Sequence, residues 1–154
     1  MQGSAQTPQI QKRIMNEYKK WQSSPPTDIR PIADDDNMSK KWLFWVDGPS
    51  GSLFDGGSWK VEMVLNNYPF NAPTLRFISE IYHPNVDTDG KLCENVIGEW
   101  APTQKITEIA DKIATVLLHI DPSNPQRQDL AVEFEQENAK FVKNVKANVA
   151  KNKK

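Results

Sequence analysis

A chain of 154 residues, 38% hydrophobic and 25% charged, is large enough to bury one ordinary core without disulfides and has no disordered composition. Its formal net charge of −1 supplies no overall basic field for nucleic acid, and no apolar run approaches the ~20 residues a membrane span requires. The polar N-terminus, residues 1–8, lacks the apolar stretch of a secretion signal, so a cytoplasmic or nuclear protein is expected. The basic end, Lys151, Lys153 and Lys154, reads as a short solvated tail.

Thr7-Pro8 is a helix start, with Thr as the cap and Pro at the first helical position. Ile10, Ile14, Tyr18 and Trp21 recur at helical spacing, which predicts a helix over 8–22 stopped by Ser23-Ser24-Pro25-Pro26. A β-rich section follows. Residues 29–33 read as a short edge strand weakened by Pro31, and Asp34-Asp35-Asp36-Asn37 as a solvated turn. The unbroken run Trp42-Leu43-Phe44-Trp45-Val46 predicts a strand over 41–46 covered on both faces. After the turn chemistry of Gly48-Pro49-Ser50-Gly51 and Asp55-Gly56-Gly57, Trp59, Val61, Met63 and Leu65 alternate with Lys60, Glu62 and Asn66 as in a half-buried strand. Residues 74–78 make a fourth, with Leu75 and Phe77 on one face. Strands joined by turns, with no helix between them, form an antiparallel meander.

Residues 82–105 show no periodicity, and a long irregular segment inside a compact domain tends to carry function. Ile106, Ile109, Ile113, Val116, Leu117 and Ile120 then form an apolar helical stripe ended by Asp121-Pro122. Leu130, Phe134, Phe141, Val145 and Val149 predict one final helix over 127–149. The order of elements is that of an α+β domain.

Cys93 is the sole cysteine, which excludes an internal disulfide framework. Two distant histidines and one cysteine do not make a metal set, and no metal or other cofactor is expected. By residue type alone, Cys93 is first a buried small hydrophobe, with a redox-sensitive thiol or a nucleophile as the alternatives. A redox sensor would need a resolving thiol, which a sole cysteine lacks, whereas His83, ten positions from Cys93, invites a cysteine-protease dyad.

Cys93 closes the segment Tyr82-His83-Pro84-Asn85-Val86-Asp87-Thr88-Asp89-Gly90-Lys91-Leu92-Cys93. His-Pro-Asn with a Cys eight residues after the Asn resembles the active-site signature of ubiquitin-conjugating enzymes. Tyr68-Pro69-Phe70 with Pro73 resembles the proline-rich segment that precedes it. Gly48-Pro49 and Phe54-Asp55-Gly56-Gly57 resemble the family's strand-connecting turns, and Trp100-Ala101-Pro102 its tryptophan-proline loop. The matches keep the family's order over nearly the whole chain.

The resemblance implies one catalytic core domain over 1–154, with an N-terminal helix, a four-stranded meander, an active-site loop and C-terminal helices. Cys93 would accept the C-terminal carboxyl of ubiquitin, activated by a separate ATP-using enzyme, as a thioester. It would pass that acyl group to a substrate lysine or a ligase cysteine, a task suited to a strongly nucleophilic thiolate. Asn85 would stabilise the oxyanion of the tetrahedral intermediate or hold the active-site loop, with a catalytic contribution favoured. His83 would pack and hydrogen-bond, shaping the loop with Pro84, rather than act as a base. His119, near a helix end, reads as a surface or capping residue. Lys12, Arg13, Phe70 and Pro102 would meet ligases of HECT, RBR or RING type, the exposed aromatic beside a proline as anchor and the cations as steering rim. The family mostly works as monomers.

Three positions depart from the family's pattern. Asn124 stands where an acidic residue often assists a substrate lysine; with Arg127-Gln128-Asp129-Leu130-Ala131 it resembles a subgroup that passes ubiquitin to a ligase cysteine. Asp111 replaces an apolar residue that packs on bound ubiquitin, and Arg30 lies where a second ubiquitin binds some relatives. A SUMO carrier is the nearest alternative, against which stand the short 94–99 segment and near-neutral charge. A non-catalytic module of this fold would lack the cysteine.

Overall fold

The computed structural model describes residues 7–92 and 98–154. It is α+β: helix α1 (Pro8–Ser23), strands β1 (Ile29–Ile32), β2 (Lys41–Asp47), β3 (Ser58–Val64) and β4 (Thr74–Phe77), then helices α2 (Ile106–Leu118), α3 (Gln128–Gln136) and α4 (Asn138–Lys151). The sheet is an antiparallel meander in the order β1-β2-β3-β4.

Local sequence sets these boundaries. Thr7 is extended, its hydroxyl accepts from Ile10 N, and Pro8 follows at a position where a helix needs no N–H. One face of α1 buries Ile14, Tyr18 and Trp21. Trp21 packs on Trp42 with centroids 4.9 Å apart and meets Phe44 edge-on, so the helix seats on β2 through aromatic contacts. Across the sheet the register brings Phe44 opposite Val61 and Val61 opposite Phe77, and likewise Trp42, Met63 and Leu75. These six residues form two buried rows beneath the helices.

Strand β2 corrects the expectation of cover on both faces. Trp42, Phe44 and Val46 are buried, whereas Leu43 and Trp45 are half-exposed on the outer face. Charged side chains share that face: the Arg30 guanidinium lies 6.0 Å from the Trp45 ring centroid, and Lys41 and Arg76 flank Glu62 opposite Leu43. The aliphatic stems of such side chains cover apolar surface while their charged ends stay in water.

The final helix is also two. Glu137 leaves helical geometry at φ −134, ψ 53, so α3 ends and α4 starts anew. Between Phe134 and Phe141 the sequence has no large apolar residue to face the core, only Glu, Gln, Asn, Ala and Lys, and the two rings meet edge-on at 5.2 Å across the break. The stripe of α2 stops at Leu118, with Ile120 beyond it.

The basic end is not a loose tail. Ser58 N donates to Asn152 O, Lys154 N donates to Gly56 O, and Lys153 bridges Gly57 as in an antiparallel pair. Lys154 Nζ lies 3.3 Å from Asp47, a carboxylate also gripped by Arg30 and Ser58. Burial pushes the Asp47 carboxyl up, but the bonds from Arg30, Ser58 and Lys154 outweigh it and hold the group below the usual range.

Candidate active site

Residues 83–92 of the irregular stretch after β4 are anchored to the rest of the fold through both side-chain and backbone contacts. His83 is wholly buried, its ring stacked on Phe54 at 5.4 Å. Its Nε2 lies 2.8 Å from the carbonyl of Val116 on α2, and its Nδ1 accepts from Asn85 N at 3.0 Å. A carbonyl only accepts, so the proton sits on Nε2 and the ring is the neutral tautomer. Burial lowers the His83 pKa to about 4, against the weaker opposing pull of Val116 O. Both nitrogens are occupied, which leaves no lone pair directed at a reacting group.

Pro84 and Asn85 hold the segment that follows α2. The carbonyl of Pro84 accepts from Gln126 N at 2.8 Å and Arg127 N at 2.9 Å. Asn85 is buried, and its amide faces the backbone in both senses: Oδ1 accepts from Asp121 N at 2.9 Å, while Nδ2 donates to the carbonyls of Asp121 at 2.8 Å and Asn124 at 3.2 Å. Thus each residue of His83-Pro84-Asn85 braces a different part of the C-terminal half.

Beyond Asn85 the chain returns to the sheet edge. Asp87 Oδ1 accepts from Asp89 N and Lys91 N, closing a turn completed by Gly90. Gly90 has φ +87, and a Cβ there would stand 2.0 Å from the carbonyl oxygen of Phe77, so the position admits only glycine. Lys91 bridges Arg76 and Leu92 bridges Val86. Cys93 follows in sequence and lies outside the described residues.

The other expected residues fall into two groups. Asn124 is exposed beside Asn85, joined to it through its backbone carbonyl. Phe70 is 59% exposed, and Pro102 is exposed in the neighbouring loop. Trp100 Nε1 donates to Pro69 O at 2.8 Å and so ties those two loops together. Lys12 is exposed on α1. Arg13 is turned inward instead, ion-paired with Glu17 at 3.1 Å, donating to Gln104 O and lying over the Tyr68 ring. Asp111 is exposed on α2, its carboxyl raised by partial burial and by Glu108. His119 is exposed and is the C-cap residue of α2.

The profile of the ubiquitin-conjugating enzyme family matches residues 13–149. The chain belongs to that family. A Dictyostelium discoideum protein described as "Ubiquitin conjugating enzyme E2 B" is 35% identical over 137 residues, 88% of this chain and 92% of its own length. A Drosophila melanogaster protein described as "Ubiquitin-conjugating enzyme E2 N" is 33% identical over 139 residues, 89% of this chain and 91% of its own. Ubiquitin-conjugating enzymes are transferases, and the α+β architecture described above is theirs.

Sequence reasoning missed two residues of this conjugating-enzyme site. Glu17 carries no signal of its own among the polar residues of α1, yet it receives bonds from Tyr68, Arg13 and Ile106 N. Its i,i+4 spacing from Arg13 was the available signal. Asp121 marked only a helix end, yet both its backbone groups are held by Asn85. No local pattern announces that contact.

Proposed function

We propose that this enzyme carries ubiquitin as a thioester on Cys93, receives it from an activating enzyme and passes it to an acceptor amine or thiol. The observation that carries the reading is the bracing of His83-Pro84-Asn85 against α2 and the 121–127 segment, with bridges leading the chain to Leu92, the neighbour of Cys93. The bracing fixes residues 83–92, the stretch that leads in sequence to the nucleophile, and an ordered approach of this kind lowers the entropy cost of bringing reactants together. In this conformation Asn85 supports the loop, since both faces of its amide are engaged by backbone.

Incubation with an activating enzyme, ATP and ubiquitin, followed by non-reducing electrophoresis, tests the reading. Wild type is expected to give a thiol-labile adduct, Cys93→Ser a thiol-stable one, and Cys93→Ala none. An adduct with SUMO alone would keep the chemistry and change the partner. Absence of any adduct would leave a binding module.

We further propose a thiol as the preferred acceptor. Asp121 is the one carboxylate in residues 121–127, and it accepts from Ser123 N and Oγ. Asn124 supplies no charge to draw or deprotonate a lysine ammonium. Discharge of the charged enzyme is expected to be at least about tenfold faster onto free cysteine than onto free lysine at equal concentration of reactive form, for a thiolate needs no such assistance. Equal rates would overturn the preference.

A further inference from the structure

The carboxylate of Glu17 joins three segments that are remote in sequence. Its Oε1 accepts from Ile106 N at 2.7 Å, serving as the N-terminal cap that α2 lacks from its own side chains. Its Oε2 accepts from the Tyr68 hydroxyl at 2.7 Å and from Arg13 Nε at 3.1 Å. Arg13 continues the connection by donating to Gln104 O at 2.8 Å and covering the Tyr68 ring at 4.9 Å from its centroid. The Tyr68 hydroxyl itself stands 3.1 Å from Gln104 O. Burial and the adjacent Glu17 carboxylate keep that phenol protonated, so it remains a donor.

Tyr68 immediately precedes Pro69-Phe70, and Gln104 closes the turn that holds Ala101 and Pro102. The two loops that expose Phe70 and Pro102 are therefore both held from α1 by one acidic side chain, alongside the direct Trp100–Pro69 bond between them. We infer that Glu17 is a positioning residue for partner binding: it sets the separation and angle of the Phe70 and Pro102 loops and thereby the affinity of this surface for a ligase domain. The inference rests on reading Phe70 and Pro102 as ligase-binding residues. Glu17 is only partly exposed and is engaged by three donors, so it acts through the loops and not by touching the partner.

Titration of a cognate RING or HECT domain against variants tests this. Glu17→Ala is expected to weaken binding about tenfold, Tyr68→Phe by a few-fold, and Glu17→Gln by less than Ala because the amide keeps an acceptor for Ile106 N. In a Phe70→Ala background the Glu17→Ala substitution is expected to add clearly less than it does alone, the remainder coming from the Pro102 loop, whereas damage to the fold at large would add in full. Should Glu17→Ala fail to fold, Glu17→Gln and Tyr68→Phe carry the same comparison. If Phe70→Ala weakens binding while the Glu17 and Tyr68 variants stay within twofold of wild type, the positioning role is overturned and the surface stands. If Phe70→Ala itself changes nothing, both are overturned.

Discussion

The free energy of unfolding in urea is expected to fall by about 3 kcal/mol between pH 7 and pH 4, with most of the loss below pH 6.5. The cause is His83, whose folded-state pKa is lowered to about 4 by burial from an ordinary value of 6.5. Above 6.5 both the folded and the unfolded chain hold the ring neutral, and the residue contributes no pH dependence. Between the two values the unfolded chain binds a proton that the folded one refuses, so stability rises with pH and is lost on acidification. Geometry gives the same sign: a proton on Nδ1 would face the N–H of Asn85, donor against donor, 3.0 Å away. His83→Gln, which retains a donor and an acceptor, is expected to flatten this slope. Asp47, held below the usual carboxylate range, begins to lose its stabilising charge only near pH 4, where the raised Asp111 carboxyl acts in the opposite sense. An unchanged slope in the Gln variant would assign the acid loss to other groups.

The second large effect falls on Asn85. Asn85→Ala removes three hydrogen bonds to residues 121–124 and is expected to cost about 2 kcal/mol, since water reaches part of the vacated backbone. Asn85→Asp is expected to cost more at neutral pH. One carboxylate oxygen would then face the carbonyl oxygens of Asp121 and Asn124, where the wild-type amide donates at 2.8 and 3.2 Å. Repulsion and burial raise the pKa of the introduced carboxyl, and its neutral form regains a donor, so the deficit relative to wild type shrinks as pH falls. Denaturation of both variants at pH 7.5 and pH 5 reads this out. A pure oxyanion role predicts small, pH-independent stability losses with slow transfer; a loop-holding role predicts the larger, pH-dependent ones.

The elements of the fold were legible where one local signal decided them. Thr7-Pro8 located the start of α1, alternation located β3, and the stripe from Ile106 to Leu117 located α2. The break at Glu137 was not legible, because intervals of four and seven between apolar residues fit one helix as well as two. Nor was the one-sided cover of β2: an apolar run does not say whether its second face meets a helix or the stems of Arg30, Lys41 and Arg76. At the site, the residue types around His83 and Asn85 were readable from their spacing to Cys93. Their partners Val116, Asp121 and Asn124 were not, for those contacts span more than thirty positions and depend on where the sheet sets α2.

The docked end of the chain has one more consequence. Residues 152–154 are in effect a tethered ligand of the corner formed by Gly56, Gly57 and Ser58, with a local concentration of order millimolar or above set by their attachment to α4. A detached peptide of the same sequence would therefore displace this segment only at comparable concentration. The amide of Ser58, bonded to Asn152 O, is a natural hydrogen-exchange gauge of how often residues 152–154 let go.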